Sequence, residues 1–135
     1  MANSRPTPSL FQRLFNFGRP KELLPDPVTR LIDLILEEAI TAGARRIHLC
    51  PQDSHVGLIR WYVQDEWHEV MKMPMANYSL VVSRLNAIGE LDTARKTGQH
   101  ATIPVTFGAR IVDLPARSII NADNTQEVIL DCPSL

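Results

Sequence analysis

The residues of this chain that could do chemistry are four histidines, two cysteines, a few serines near bases, and an arginine set in an apolar segment. His48 and Cys50 stand two apart, so on a strand they share one face, as two ligands of one metal would. His55, His68 and His100 are scattered and no C-x-x-C pair accompanies them, a pattern of ordinary surface or core residues, so no metal site is expected. Ser54 beside His55, and Ser118 near Asp113, do not establish a nucleophile and base, because a triad is recognised by spatial geometry and not by adjacency. The six glycines fall singly and form no glycine-rich phosphate loop. Autonomous ATP hydrolysis is therefore not expected, no catalytic residue is assigned and no cofactor is implied.

Trp61 and Trp67 flank a turn close to Arg60 and Tyr62, and an aromatic and basic sheet face of this kind can stack single-stranded nucleic acid. The favoured reading is a cross-strand aromatic pair that stabilises a hairpin. Composition agrees: 21% charged residues and a formal net charge of −1 lack the basic excess that a phosphate backbone attracts, so no nucleic-acid partner is expected. Charge is nevertheless uneven. Residues 1–21 carry Arg5, Arg13, Arg19 and Lys21 without one acidic side chain, which leaves an acidic remainder. Cys50 and Cys132 are too few for a disulfide framework, and both fit a reducing compartment as thiols. No apolar stretch approaches the roughly 20 residues that span a bilayer, and no signal-peptide pattern opens the chain, so a cytoplasmic location is expected.

The elements that would position these residues follow from periodicity. Residues 1–25 form a basic tail containing Pro6, Pro8, Pro20 and Pro25, and residues 26–135 form one domain. Within the tail Leu10, Phe11, Leu14 and Phe15 would share a face if residues 9–17 turned helical. That face suits docking on a partner or weak contact with a membrane surface, while a disordered leader is the plainer alternative. Asp26-Pro27 is a helix start, with Asp as N-cap and Pro at the first position. An apolar stripe from Val28 through Ala42 follows, and Gly43 supplies the left-handed cap. From Arg46 the period becomes two, giving a short strand, a turn at residues 51–54, and a hairpin over residues 56–71 that turns near Gln64. Tyr78, Val81, Val82, Leu85 and Ile88 return to helical spacing, and Gly89 marks a helix end or kink. Three or four antiparallel strands are expected over residues 102–105, 110–115, 117–120 and 127–130. The sum is an α+β fold: an antiparallel sheet of five to six short strands with two main helices on one face, a PAS-like layer arrangement.

Pro27 to Val63 resembles the N-terminal accessory domain that precedes the motor domain in type II secretion and type IV pilus assembly ATPases. That family's helix ending Ala-Ile-x-x-Gly-Ala is matched by Ala39-Ile40-Thr41-Ala42-Gly43-Ala44, and its strand Asp-Ile-His-Ile-Glu-Pro by Arg46-Ile47-His48-Leu49-Cys50-Pro51. Its arginine-containing strand ending Asp-Gly is similar to Ile59-Arg60-Trp61-Tyr62-Val63-Gln64-Asp65, and its helix ending Leu-Asp-Ile-Ala-Glu to the stretch closing Leu91-Asp92-Thr93-Ala94-Arg95. The likeness covers roughly residues 27–131 and rests on several moderate motifs in the right order.

The resemblance implies that arginines of such a domain reach nucleotide phosphates held by the motor, and Arg60 matches one of those positions. The strand's second arginine is Tyr62 here, and the family's Gln-Asp-Gly-Arg has become Gln99-His100-Ala101-Thr102. The chain ends at Leu135, where the family continues into its ATPase core, so an accessory domain without a motor is expected. The function implied is a non-catalytic interaction or regulatory module for a secretion or pilus motor ATPase or an inner-membrane platform component. Arg60, offered in trans to another chain's nucleotide phosphate, is its candidate site residue. A PAS-like small-molecule sensor and a relic of a truncated secretion ATPase are the alternatives.

Overall fold

A computed structural model describes residues 26–91 and 98–133. The tail residues Leu10, Phe11, Leu14 and Phe15 lie outside the described residues, as does the segment 92–97. The chain begins with helix α1 (Pro27–Thr41) and continues through strands β1 (Arg46–Pro51), β2 (Val56–Val63) and β3 (Glu66–Pro74) to helix α2 (Met75–Gly89). Strands β4 (Gln99–Phe107), β5 (Arg110–Ile120) and β6 (Gln126–Asp131) complete it.

Helix α1 starts as its sequence dictates. The Asp26 side chain accepts from the Thr29 N–H at 3.0 Å and from the Thr29 hydroxyl at 3.0 Å, and Pro27 fills the first helical position. The Thr29 N–H in particular holds the Asp26 carboxyl below its ordinary pKa. The helix stops at Gly43, whose φ is +82°. There the Gly43 N–H donates to the Ile40 carbonyl and the Ala44 N–H to the Ala39 carbonyl, satisfying acceptors that the helix end would otherwise strand. Helix α2 ends at Gly89, where the sequence places its end, and closes in the same way. The left-handed residue is Glu90 (φ +55°), not Gly89. Gly89 serves proximity instead, since a Cβ there would stand 2.9 Å from the Ile103 side chain on β4.

The sheet is fully antiparallel with strand order β3-β2-β1-β6-β5-β4. It consists of two three-stranded meanders joined through their first and last strands, with Arg46–Leu49 of β1 paired to Val128–Asp131 of β6. The β2–β3 loop is Gln64-Asp65, both at positive φ, which gives the twist that a two-residue hairpin loop favours. Pro115 does not divide β5, because β6 pairs with β5 only from Ala116 onward and Pro115 has a partner strand on one side alone.

Both helices pack on one face of the sheet. Leu31, Ile35 and Leu36 of α1 and Val81 and Leu85 of α2 meet Ile47, Leu49, Ile59, Leu114, Val128 and Leu130, all nearly inaccessible. Each such side chain contributes about 1.5–3 kcal/mol of burial free energy. The Tyr78 ring lies where a Cβ on Gly57 would be, 2.3 Å from its ring carbons, and its hydroxyl donates to the Gln126 carbonyl at 2.6 Å. The polar intrusion into this layer is satisfied: Asn86 and Gln126 exchange two amide hydrogen bonds, and Gln126 also donates to the Ser118 hydroxyl. Between α1, α2 and β1 remains a void of about 10 Å³, lined by Ile32, Ile35, Leu36, Leu49, Val81 and Leu85. That is room for one water at most.

Candidate functional site

Strict alternation along β1 and β2 sends Ile47, Leu49 and Ile59 to the helices and His48, Cys50, Arg60 and Tyr62 to the opposite, open face. Register then brings these residues together. Arg60 stands opposite His48 on one side and Glu69 on the other, and Tyr62 stands opposite Trp67. A shift in the β2–β3 pairing at Ile59/Arg60 leaves Val70 without an opposite number, and it is this irregularity that sets Glu69, not Val70, across from Arg60.

The resulting cluster is continuous. The Arg60 guanidinium lies 4.8 Å from the Trp67 ring centroid, and its terminal nitrogen is 2.5 Å from His48 Nδ1. His48 Nε2 is 2.8 Å from Glu127 Oε1 on β6, and the Asn121 amide donates to the other oxygen of that carboxylate at 3.2 Å. Trp67 also packs against Tyr62, with ring centroids 5.1 Å apart, and meets His48 at 5.9 Å edge-on. His48 is well covered, with 14% of its side chain accessible, whereas Trp67 is 41% exposed. Arg60 Nε is buried and has no hydrogen-bond partner. Beside it, burial raises the Cys50 thiol pKa, partly opposed by the Arg60 charge, so Cys50 is protonated near neutrality and is a poor nucleophile or ligand there.

The aromatic pair of the hairpin is therefore Tyr62–Trp67 and not Trp61–Trp67. Trp61 is opposite His68 and packs toward the core from the other face. The histidines do not converge: His55 lies in the β1–β2 turn, His68 on β3 faces away from the cluster, and His100 is on β4 at the far edge. Among the described residues no group of three or more His, Cys, Asp or Glu side chains could hold a metal ion. Ser118 faces the helices while Asp113, five residues away, is exposed on the open side, so the two do not meet. Gln99 to Thr102, where the resemblance places a second phosphate-contacting segment, lie on β4, four strands from β2. At the usual strand spacing that is about 19 Å from Arg60. Sequence reasoning singled out Arg60 but missed its partners: the His48–Glu127 contact spans 79 residues, and no local signal announces it.

The type II/IV secretion system protein family model matches residues 22–122. Among curated relatives, a type II secretion system protein E of Pseudomonas aeruginosa is 33% identical over 105 residues, which is 77% of this chain and 20% of that protein. A type IV pilus assembly ATPase of Acinetobacter baylyi is 29% identical over 103 residues, 63% of this chain and 17% of the relative. The type II secretion system ATPase E of Vibrio cholerae is 35% identical over 89 residues, 65% of this chain and 18% of the relative. The chain thus spans about a fifth of the length of the curated relatives it matches.

Proposed function

The chain belongs to the type II/IV secretion system protein family, and on that premise we propose that it acts as a non-catalytic contact and regulatory module on the cytoplasmic side of such a system. Its partner is a motor ATPase or an inner-membrane platform component. The observation that carries this reading is the cluster on the sheet face opposite the two helices. Tyr62, Trp67 and Arg60 place two aromatic rings and a guanidinium side by side on a rigid sheet, the residue types that most often anchor protein interfaces. The family relation supplies the class of partner.

Binding of the full chain to a purified secretion or pilus motor ATPase, and separately to a platform component, tests the proposal by calorimetry. Measurable affinity for one of them that falls at least tenfold in Trp67→Ala is the expected result. Absence of binding to both, or binding indifferent to Trp67→Ala, would overturn it. A second reading, in which Arg60 is offered in trans to a nucleotide phosphate, is favoured by one feature: its buried Nε donor has no partner. Unchanged ATPase activity of the bound motor on Arg60→Ala would remove that reading and leave the contact role standing.

A further inference from the structure

We propose that Arg60, His48 and Glu127 form a proton-operated latch, in which neutral His48 holds Arg60 against Trp67 and protonated His48 releases it. The latch rests on the geometry of the cluster alone, and only what the freed Arg60 then meets rests on the contact role proposed above.

A guanidinium has donors and no acceptor, so the 2.5 Å contact from Arg60 to His48 Nδ1 requires a lone pair on that nitrogen. The ring hydrogen then sits on Nε2, where the Glu127 carboxylate accepts it at 2.8 Å. The heavy-atom positions thus specify a neutral imidazole between a cation and an anion. A proton added to Nδ1 would set N–H against N–H and positive charge against positive charge at a separation that admits neither. One of the two side chains must then move.

The surroundings decide which. His48 is mostly covered and held by Glu127, whose second oxygen is itself held by Asn121, and an imidazolium strengthens that ion pair. Arg60 is held only by the contact that protonation destroys and by the Trp67 face, while its buried Nε hydrogen-bonds to nothing. Moving outward restores water to that Nε. The other groups around His48 do not substitute for Nδ1. Cys50 on its own strand carries a raised thiol pKa, and Arg46 is paired with Asp131 of β6 at 3.1 Å. From β2 comes the Tyr62 hydroxyl, and from β3 comes Glu69, 4.0 Å from Lys72. Glu69 is the carboxylate opposite Arg60 and offers a destination for the released guanidinium on the outer side of the sheet.

The test uses the full chain carrying Trp61→Phe, so that Trp67 is the sole indole. The His48 ring nitrogens, the Arg60 Nε–Hε resonance and Trp67 emission are followed from about pH 8 to about pH 5, with circular dichroism as a check on folding. The expected result is one shared transition for all three signals while the fold persists. His48→Gln, whose amide oxygen still accepts from Arg60 but does not titrate, abolishes the transition in Arg60 and Trp67. Glu127→Gln moves it to lower pH by removing the anion that stabilises imidazolium. Titration of His48 with Arg60 and Trp67 unchanged, persistence of their transition in His48→Gln, or a His48 that stays neutral throughout would each overturn the latch. Because no partner is present, failure here is distinct from failure of the contact role.

Discussion

The two faces of the sheet were built from the same strands by opposite rules. On the helix side, apolar side chains of every strand interdigitate with α1 and α2, and the polar groups that enter, Asn86, Gln126 and Ser118, satisfy one another. On the open side, β1, β2, β3 and β6 contribute a guanidinium, an imidazole, a carboxylate and two aromatic rings whose contacts are directional and leave Arg60 Nε unpaired. The first face holds the fold by bulk and tolerates little change in volume. The second is held by a few directional contacts, which specify geometry more than they fill volume. Adjacent residues of one strand make the contrast directly: Ile59 belongs to the apolar cluster packed against the helices, and Leu58, also buried, lies outside it.

The largest expected effect lies on the helix side. Ile59→Ala should destabilise the domain by about 2–5 kcal/mol, the cost of an unfilled core cavity, and Leu58→Ala, one residue away, should cost clearly less in the same urea titration. Equal losses would mean that the open face carries as much of the fold as the covered one. A smaller effect is pH-dependent. Burial lifts the Tyr78 hydroxyl far above its ordinary value of 10.0 and pushes the Cys132 thiol from 9.0 up to about 11. Both values are raised, so the stability they contribute is complete below pH 9 and is lost as the unfolded chain ionises. Thermal midpoints should fall between pH 9 and about 11, less steeply in Cys132→Ala, and further above pH 10, less steeply in Tyr78→Phe. Tyr78→Phe also forfeits its hydrogen bond to the Gln126 carbonyl, about 1 kcal/mol at neutral pH. A midpoint flat across this range would contradict that assignment. The smallest effect belongs to the open face. Arg60→Met should change stability by no more than about 1 kcal/mol in either direction, because loss of the cation–π contact and of the hydrogen bond to His48 is offset by removal of a buried unsatisfied donor. A loss above about 2 kcal/mol, on the scale of an unpaired buried charge, would show that the cluster is structural and erase the distinction between the faces.

Local rules made much of this protein legible in advance. Asp26-Pro27 and Gly43 bounded α1 because capping is decided within a few residues, and the period of two separated Ile47, Leu49 and Ile59 from His48 and Arg60 before any contact was known. The resemblance to secretion and pilus ATPases also lay in local motifs, and the family relation bears it out. Gly89 marked the end of α2 correctly, but its role there, close approach to Ile103 while Glu90 takes the positive φ, was not legible, because a glycine required for close approach and one required for positive φ look identical in a sequence.

What the sequence determined by itself is which residues share a face, since alternation and capping act over a few bonds. What only the tertiary structure decided is which of those residues touch. The pairing of β1 with β6 joins segments some 80 residues apart, and it alone brings Glu127 to His48. Hairpin register and its one irregularity then set Arg60 between His48 and Trp67, turning an isolated arginine into a member of a cluster. Contacts of that kind depend on register across the whole sheet, and register is fixed only when the core beneath it closes.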